Sequence, residues 1–430
     1  MLLALTSYHY IIIFSITIII SYFFDLYAKK SGVPAVLMLI GLGVLINYSL
    51  RFSGIEKPDL IPLLEVVGVV GLILIVLEAA LDLRLLKEKI GLIFSSLAVA
   101  FLGFVLTAYL TALCLSFFLS LDMLTALIYT IPLSILSSAI VLPSVESLPE
   151  LKKEFMIYES TFSDIIGIVG FYAVLAMINS PSSAEMYGEI LWGLFITVFF
   201  SVILSYLLIY VFQNIKGHGR LFLLMGILLL LYSIGKIFHL SSLIIILVFG
   251  VILNNYKVFF KGIFFDLLNT ERVEGVLADM KIITTETAFV VRTFFFIIFG
   301  WSVYLGTLLS LKVIGIGLLL VIIIYLVRGV LLFFSKGVKL FPEVFIAPRG
   351  LITVLLFFSI PDNIDIGIRF EGVLLFVILI SCLIMSVSLI SYKKSLSLES
   401  IPENENGLDS SSLISEESEQ EEEKRESLEE

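Results

Sequence analysis

Of 430 residues, 59% are hydrophobic and only 15% are charged. Soluble domains run nearer roughly 45–50% and 25%, so the composition excludes a soluble globular protein. The formal charge of −10 belongs to the C-terminal tail: from Ser395 onward 13 acidic residues face 2 basic ones, leaving 24 acidic and 25 basic residues elsewhere, so nucleic acid is excluded as a partner.

Apolar runs of about 20 residues recur from end to end, the length a helix needs to cross a bilayer. Open sheets would leave unsatisfied edges in lipid, and the alternation of a membrane barrel is absent. The expected fold is therefore an all-α polytopic membrane protein of about 13 transmembrane helices. Hydropathy and breaker residues place the spans near 8–26, 34–50, 61–81, 90–119, 123–147, 150–178, 189–213, 221–237, 240–256, 282–304, 308–334, 341–361 and 370–391. The first, "YHYIIIFSITIIISYFFDL", lacks a basic leader and a small-residue cleavage site and reads as a retained helix.

With the C-terminus cytoplasmic and the N-terminus outside, 19 of the 27 Lys and Arg residues fall on the cytoplasmic side and 5 opposite, and Arg292, Arg328 and Arg349 lie within spans. That bias is the positive-inside pattern. The expected location is a cell (inner) membrane, with lipid as a partner. The tail from 395 to 430 is polar and acidic and is expected to be disordered and cytoplasmic. Cys114 and Cys382 lie in apolar runs, and His9, His218 and His239 are scattered. No disulfide framework, internal metal centre or cofactor is expected.

Taken in chain order, the polar residues inside these runs carry the chemistry. Glu78 ends the third span in "LILIVLEAALDLRLL", where an interfacial anchor and a pathway role are both open. The fifth span ends "IPLSILSSAIVLPSVESLP", with Pro132, Ser134, Ser137, Ser138 and Pro143 interrupting the helix. The sixth carries "YESTFSDIIGIVGF". Ser160 and Asp164 are four residues apart and share a face. Glu159 and Ser163 form a second pair, rotated by one residue.

A carboxylate at bilayer depth costs roughly 2.5–3.5 kcal/mol on insertion scales. Cut off from water it holds either a proton or a small cation, each displacing the other, with hydroxyl oxygens replacing hydration water. That is the minimal chemistry of an exchanger. In the tenth span Glu286, six residues before Arg292, reads as part of a structural pair between neighbouring turns or subunits. In the eleventh, Arg328 cannot lose its proton and is assigned to Glu159, as a brace or a plain buried ion pair, leaving Asp164 for the ion. The twelfth, "FPEVFIAPRGLITVLLFFSIP", breaks at Pro348-Arg349-Gly350. Two broken segments at matching places in two halves mark a transporter's site. Their half-helix ends would bring carbonyls near Asp164, with Arg349 balancing them.

At these residues the pattern resembles the monovalent cation:proton antiporter superfamily, the sodium/proton exchangers. "ESTFSD" is similar to the family's "ES…ND" signature, "LVRGVL" to its arginine-bearing span, "APRGLITVLLFF" to its "GLRGA" segment and "LEAALDL" to its "FEAGLxLD" segment. The resemblance covers residues 8–391. Two features depart from it: Ser163 stands where an Asn is usual, and "SSAIVLP" replaces "TDP", closer to the potassium-efflux branch. The resemblance implies inverted repeats, a core of spans 90–178 and 308–391, a dimerisation scaffold of spans 8–81 and 221–304 joined by the linker span 189–213, and elevator-like movement.

The expected function is exchange of Na⁺ or K⁺ for H⁺, electroneutral because one unpaired carboxylate serves both ions. The expected ligands are Asp164, Ser160, Ser138, Ser137 and Ser163, Glu159–Arg328 is the structural pair, and Arg349 and Glu78 belong to the crossover and pathway. A K⁺-selective efflux system and a gated cation channel are the rivals. An enzyme is not expected, since no cluster of catalytic residues exists.

Overall fold

A computed structural model of the chain describes residues 7–52, 61–146, 148–178, 185–215, 220–237, 242–261, 268–302, 306, 308, 310–335, 341–361, 363–364, 366 and 370–399. The chain divides into two compact units, Met1–Ser388 and Leu389–Glu430. Among the described residues every regular element is helical. The helices are α1 Ser7–Ser31, α2 Ala35–Phe52, α3 Ile61–Asp82, α4 Ile90–Leu119, α5 Met123–Ser134, α6 Ser138–Ser144, α7 Glu150–Ile178, α8 Glu185–Asn214, α9 Arg220–Ile237 and α10 Ser242–Asn254. A single turn at Tyr256–Phe259 leads on to α11 Thr270–Ser302, α12 Leu311–Phe334, α13 Leu351–Phe358 and α14 Phe370–Glu399. Among the described residues eight segments are long and apolar enough to cross a membrane, and Ala35–Ser49, Phe222–Ser233 and Leu243–Asn254 are shorter apolar helices. This is a multi-pass, all-helical membrane protein.

Three boundaries differ from the sequence expectation. The helix expected over 282–304 starts at Thr270, because "TERVEGVLADMK" is a good helix former whose charges keep it out of the apolar window. Residues 395–399 continue α14, so the tail expectation begins inside a helix; residues 400–430 lie outside the described residues. Among the described residues of 341–361 only α13 is α-helical, preceded by a 3₁₀ turn at Glu343–Phe345 and the irregular residues 346–350. Pro348 removes an N–H and disfavours the helical conformation at the residue before it.

Two packing groups organise the described helices. α11 lies against α2 and α3, and α10 against α3 and α8. In the other group α4 packs on α5, α7 and α12, α5 on α7, and α13 on α5. Where α2 meets α11 the backbones touch: a Cβ on Gly43 would collide with the Ile297 carbonyl, and one on Gly300 with the Ile40 carbonyl. Close backbone approach through small residues is how helices associate where lipid supplies no hydrophobic drive. Many side chains on α1, α4, α8 and α12 are large, apolar and exposed, among them Phe117, Trp192, Phe195 and Phe333. A bilayer is the solvent such a surface requires.

Candidate functional site

The fifth expected span is broken into two half-helices. Asp122 caps α5, its Oδ2 accepting from Leu124 N at 3.1 Å and Thr125 N at 3.2 Å. Near the other end Pro132 supplies no N–H, and α5 stops at Ser134. Ile135 and Ser137 are extended, and α6 restarts at Ser138. The second break, 346–350, lies against the first. Ser137 N donates to Pro348 O at 3.0 Å, and Gly350 sits so close to the Ser137 side chain that a Cβ there would overlap it. Gly350 has a negative φ of −149°, so its role is close approach and not access to the left-handed region.

α7 presents its polar stripe to this crossing. Asp164 is 2% exposed. Its Oδ2 accepts from Ser138 N, the first amide of α6, at 3.2 Å. Its Oδ1 is buried and has no hydrogen-bond partner among the described residues, and the same holds for Ser137 Oγ. Buried polar atoms are seldom left so, and two orphaned oxygens at one crossing are what a cation or proton would satisfy. Ser163, one residue earlier, faces the same break: its Oγ accepts from Leu136 N at 2.9 Å, supplying the partner which the interrupted helix denies that amide. Ser160 is fully buried and donates to Ile157 O of its own helix at 3.2 Å, leaving its lone pairs uncommitted.

Arg328 forks onto Glu159, with Nη1 2.5 Å from Oε1 and Nη2 3.0 Å from Oε2, and its Nε donates to Glu343 O at 3.0 Å. The bidentate geometry is that of a strong buried pair. Arg349 is 4% exposed and reaches across the crossing. Its Nε donates to Leu133 O at 2.5 Å and its Nη1 to Ala347 O at 3.2 Å. The guanidinium thus meets a carbonyl at the negative end of the α5 dipole. A cavity of about 30 Å³ beside these groups is lined by Thr107, Ser134, Glu159, Ser163, Arg328 and Arg349, room for about one water.

Glu78 lies apart from this cluster and pairs with Arg292, Nη1 to Oε2, at 2.8 Å. Arg292 is therefore engaged by α3 and not by the acid one and a half turns before it. Glu286 is exposed, and six residues along a helix turn two side chains about 120° apart. One group escaped the sequence reading. Glu343 has a fully buried side chain whose oxygens lie 2.9 and 3.1 Å from Lys152 Nζ. In sequence it stands in "FPEVF" beside the basic loop, where an acid signals nothing.

A bundle of membrane-crossing helices with two broken segments meeting at a buried carboxylate is the arrangement of a secondary transporter. The chain belongs to the transmembrane sodium/hydrogen exchanger family, whose pattern matches residues 13–392. It is thus a member of a transporter family, and sodium/proton antiport is the activity of its class. Among solved structures, that of the sodium proton antiporter MjNhaP1 from Methanocaldococcus jannaschii at pH 8 has a TM-score of 0.69 and 18% identity, covering 90% of this chain and 97% of that one. An electron-microscopy structure of the same antiporter gives 0.68 at 17% identity, covering 93% and 99%. Such likeness concerns the fold. No curated protein matches the sequence.

Proposed function

We propose that this protein exchanges one Na⁺ or K⁺ for one H⁺ across a cell membrane, with Asp164 as the shared ligand. The observation that carries the reading is the orphaned Oδ1 of a buried carboxylate, held by its other oxygen to the first amide of a half-helix. Ser137, Ser138, Ser160 and Ser163 are the hydroxyl oxygens of the site. Glu159–Arg328 braces α7 and Arg349 neutralises the carbonyl end of α5. Glu78, paired with Arg292, belongs to the approach path.

In the unloaded site the carboxylate gains a proton from one compartment or a cation from the other. Either ligand relieves the cost of a bare buried anion, and because both use the same oxygens, each leaves as the other arrives. The core of 90–178 and 308–391 moves in an elevator-like manner against the scaffold of 8–81 and 221–304, with 189–213 as linker. The exposed apolar side chains are covered by lipid and, on the scaffold, by a second copy in a homodimer. The N-terminus is outside, and the C-terminal tail is cytoplasmic. "SSAIVLP" at the first break supports K⁺ beside Na⁺.

The test is proton flux in everted vesicles carrying a ΔpH, adding Na⁺, Li⁺ or K⁺ in turn. Wild type should dissipate the gradient with one or more of these cations, and Asp164→Asn with none. Exchange that survives in Asp164→Asn places the site elsewhere. Cation current down a gradient without coupled proton movement identifies a channel.

A further inference from the structure

The non-helical stretch 346–350 is buried, so its backbone groups need partners inside the protein. Arg349 has a peptide N–H and C=O that no helix turn uses, and α14 meets both. Ser381 Oγ donates to Ile378 O at 3.0 Å and, with its lone pairs free, accepts from Arg349 N at 3.1 Å. The thiol of Cys382 donates to Arg349 O at 3.8 Å. Consecutive helix positions point about 100° apart, and both reach one residue because the irregular segment passes over this face of α14. Ser381 itself is held from α12, Tyr325 OH donating to Ser381 O at 3.3 Å. Ser381 and Cys382 are buried, at 1% and 0% exposure.

The consequences run straight to the cation site. Residues 348 and 350 flank the clamped residue, and both touch Ser137: Pro348 O takes its amide proton and Gly350 abuts its side chain. Ser137 precedes Ser138, whose N–H holds Asp164. Three hydrogen bonds, Arg349–Ser381, Ser137–Pro348 and Ser138–Asp164, therefore join α14 to the carboxylate through adjoining residues.

We infer that Ser381, reinforced by Cys382, is a positioning residue for the cation site, setting the height of the second broken segment against α14 and through it the placement of Ser137 and Ser138 around Asp164. This rests on the reading of Asp164 as the cation ligand. Ser381→Ala leaves the Arg349 amide buried without an acceptor, and the segment relaxes toward whatever partner it finds. A ligand shell displaced by a few tenths of an ångström binds the small cation less well, while the protein still spans the membrane.

The experiment is Na⁺-driven proton efflux from proteoliposomes over a range of Na⁺, with Li⁺ in parallel, for wild type, Ser381→Ala, Cys382→Ala and Cys382→Ser. Ser381→Ala should raise the apparent KM for Na⁺ about tenfold, the size expected for one buried hydrogen bond lost, with a smaller change in maximal rate and an altered Na⁺/Li⁺ ratio. Cys382→Ala should raise KM about twofold, and Cys382→Ser should restore it. A Ser381→Ala protein with lower thermal stability but unchanged KM and ion ratio makes the residue structural and overturns the inference. If Ser381→Ala does not fold, Ser381→Cys, which keeps a weak acceptor, decides: a raised KM supports the inference and an unchanged one overturns it. A wild type inert to every cation sinks the transport reading and this inference together; an active wild type with unaltered variants sinks this inference alone.

Discussion

At the scale of residues, the protein concentrates its buried charge in pairs and leaves one carboxylate out. Glu159 is matched by Arg328, Glu343 by Lys152 and Glu78 by Arg292, while among the described residues Asp164 has no ion-pair partner and accepts from the Ser138 amide. Removing one member of a buried pair exposes the full desolvation cost of the other, about 3–5 kcal/mol, whereas replacing both by apolar groups is often neutral. Arg328→Met should therefore lower the unfolding free energy of the detergent-solubilised protein by about that amount, and adding Glu159→Leu should recover much of it. Equal instability of the single and double variants would mean that the fork contributes nothing as a unit. The same contrast explains what could be read without a structure. Glu159, Asp164 and Arg328 declare themselves because each interrupts an apolar run. Glu343 and Ser381 do not, since an acid beside a basic loop and a serine in a membrane helix are common, and the bond to Lys152 and the clamp on Arg349 exist only once distant segments meet.

At the scale of elements, both breaks were legible from their prolines, because a missing N–H and a hindered preceding residue follow from covalent structure. Where the broken chain goes was not: residues 346–350 pass without regular structure beside Ser137, a path held by the tight fit of Gly350 on Ser137 and by the contacts from α14. Two glycine contacts then separate the roles of the two packing groups. A methyl group added to Gly350 pushes on Ser137 at the crossing, and one added to Gly43 pushes on the α2–α11 backbone contact. Overpacking costs about 1–3 kcal/mol in either place. Gly350→Ala should raise the apparent KM for the cation several-fold, and Gly43→Ala should lower the melting temperature with KM unaltered. Cation titrations and melting curves on both variants check this, and a KM change in Gly43→Ala would show that the α2–α11 contact shapes the site as well.

At the scale of the whole molecule, the positions of the spans along the chain were legible because bilayer thickness fixes their length, while which helix packs against which came from the structure. The distribution of buried charge across the body constrains the stoichiometry. On the proposed reading, three ion pairs and the Arg349 cation keep their charge through the cycle, and Asp164 carries a proton in one direction and a monovalent cation in the other. The net charge of the loaded site is the same both ways, so a one-for-one cycle moves no charge across the membrane. A cycle exchanging two protons per cation would couple to the membrane potential by about 2.3 kcal/mol per 100 mV, close to a fiftyfold bias in the equilibrium cation ratio. Proteoliposomes loaded with Na⁺ and held at 100 mV of either sign by a thiocyanate gradient should therefore reach the same Na⁺ ratio for a given ΔpH. A ratio that follows the imposed potential would require a second proton-carrying group in the cycle, and the first to test would be Glu343, by Glu343→Gln, since its side chain is fully buried and its backbone carbonyl accepts from Arg328.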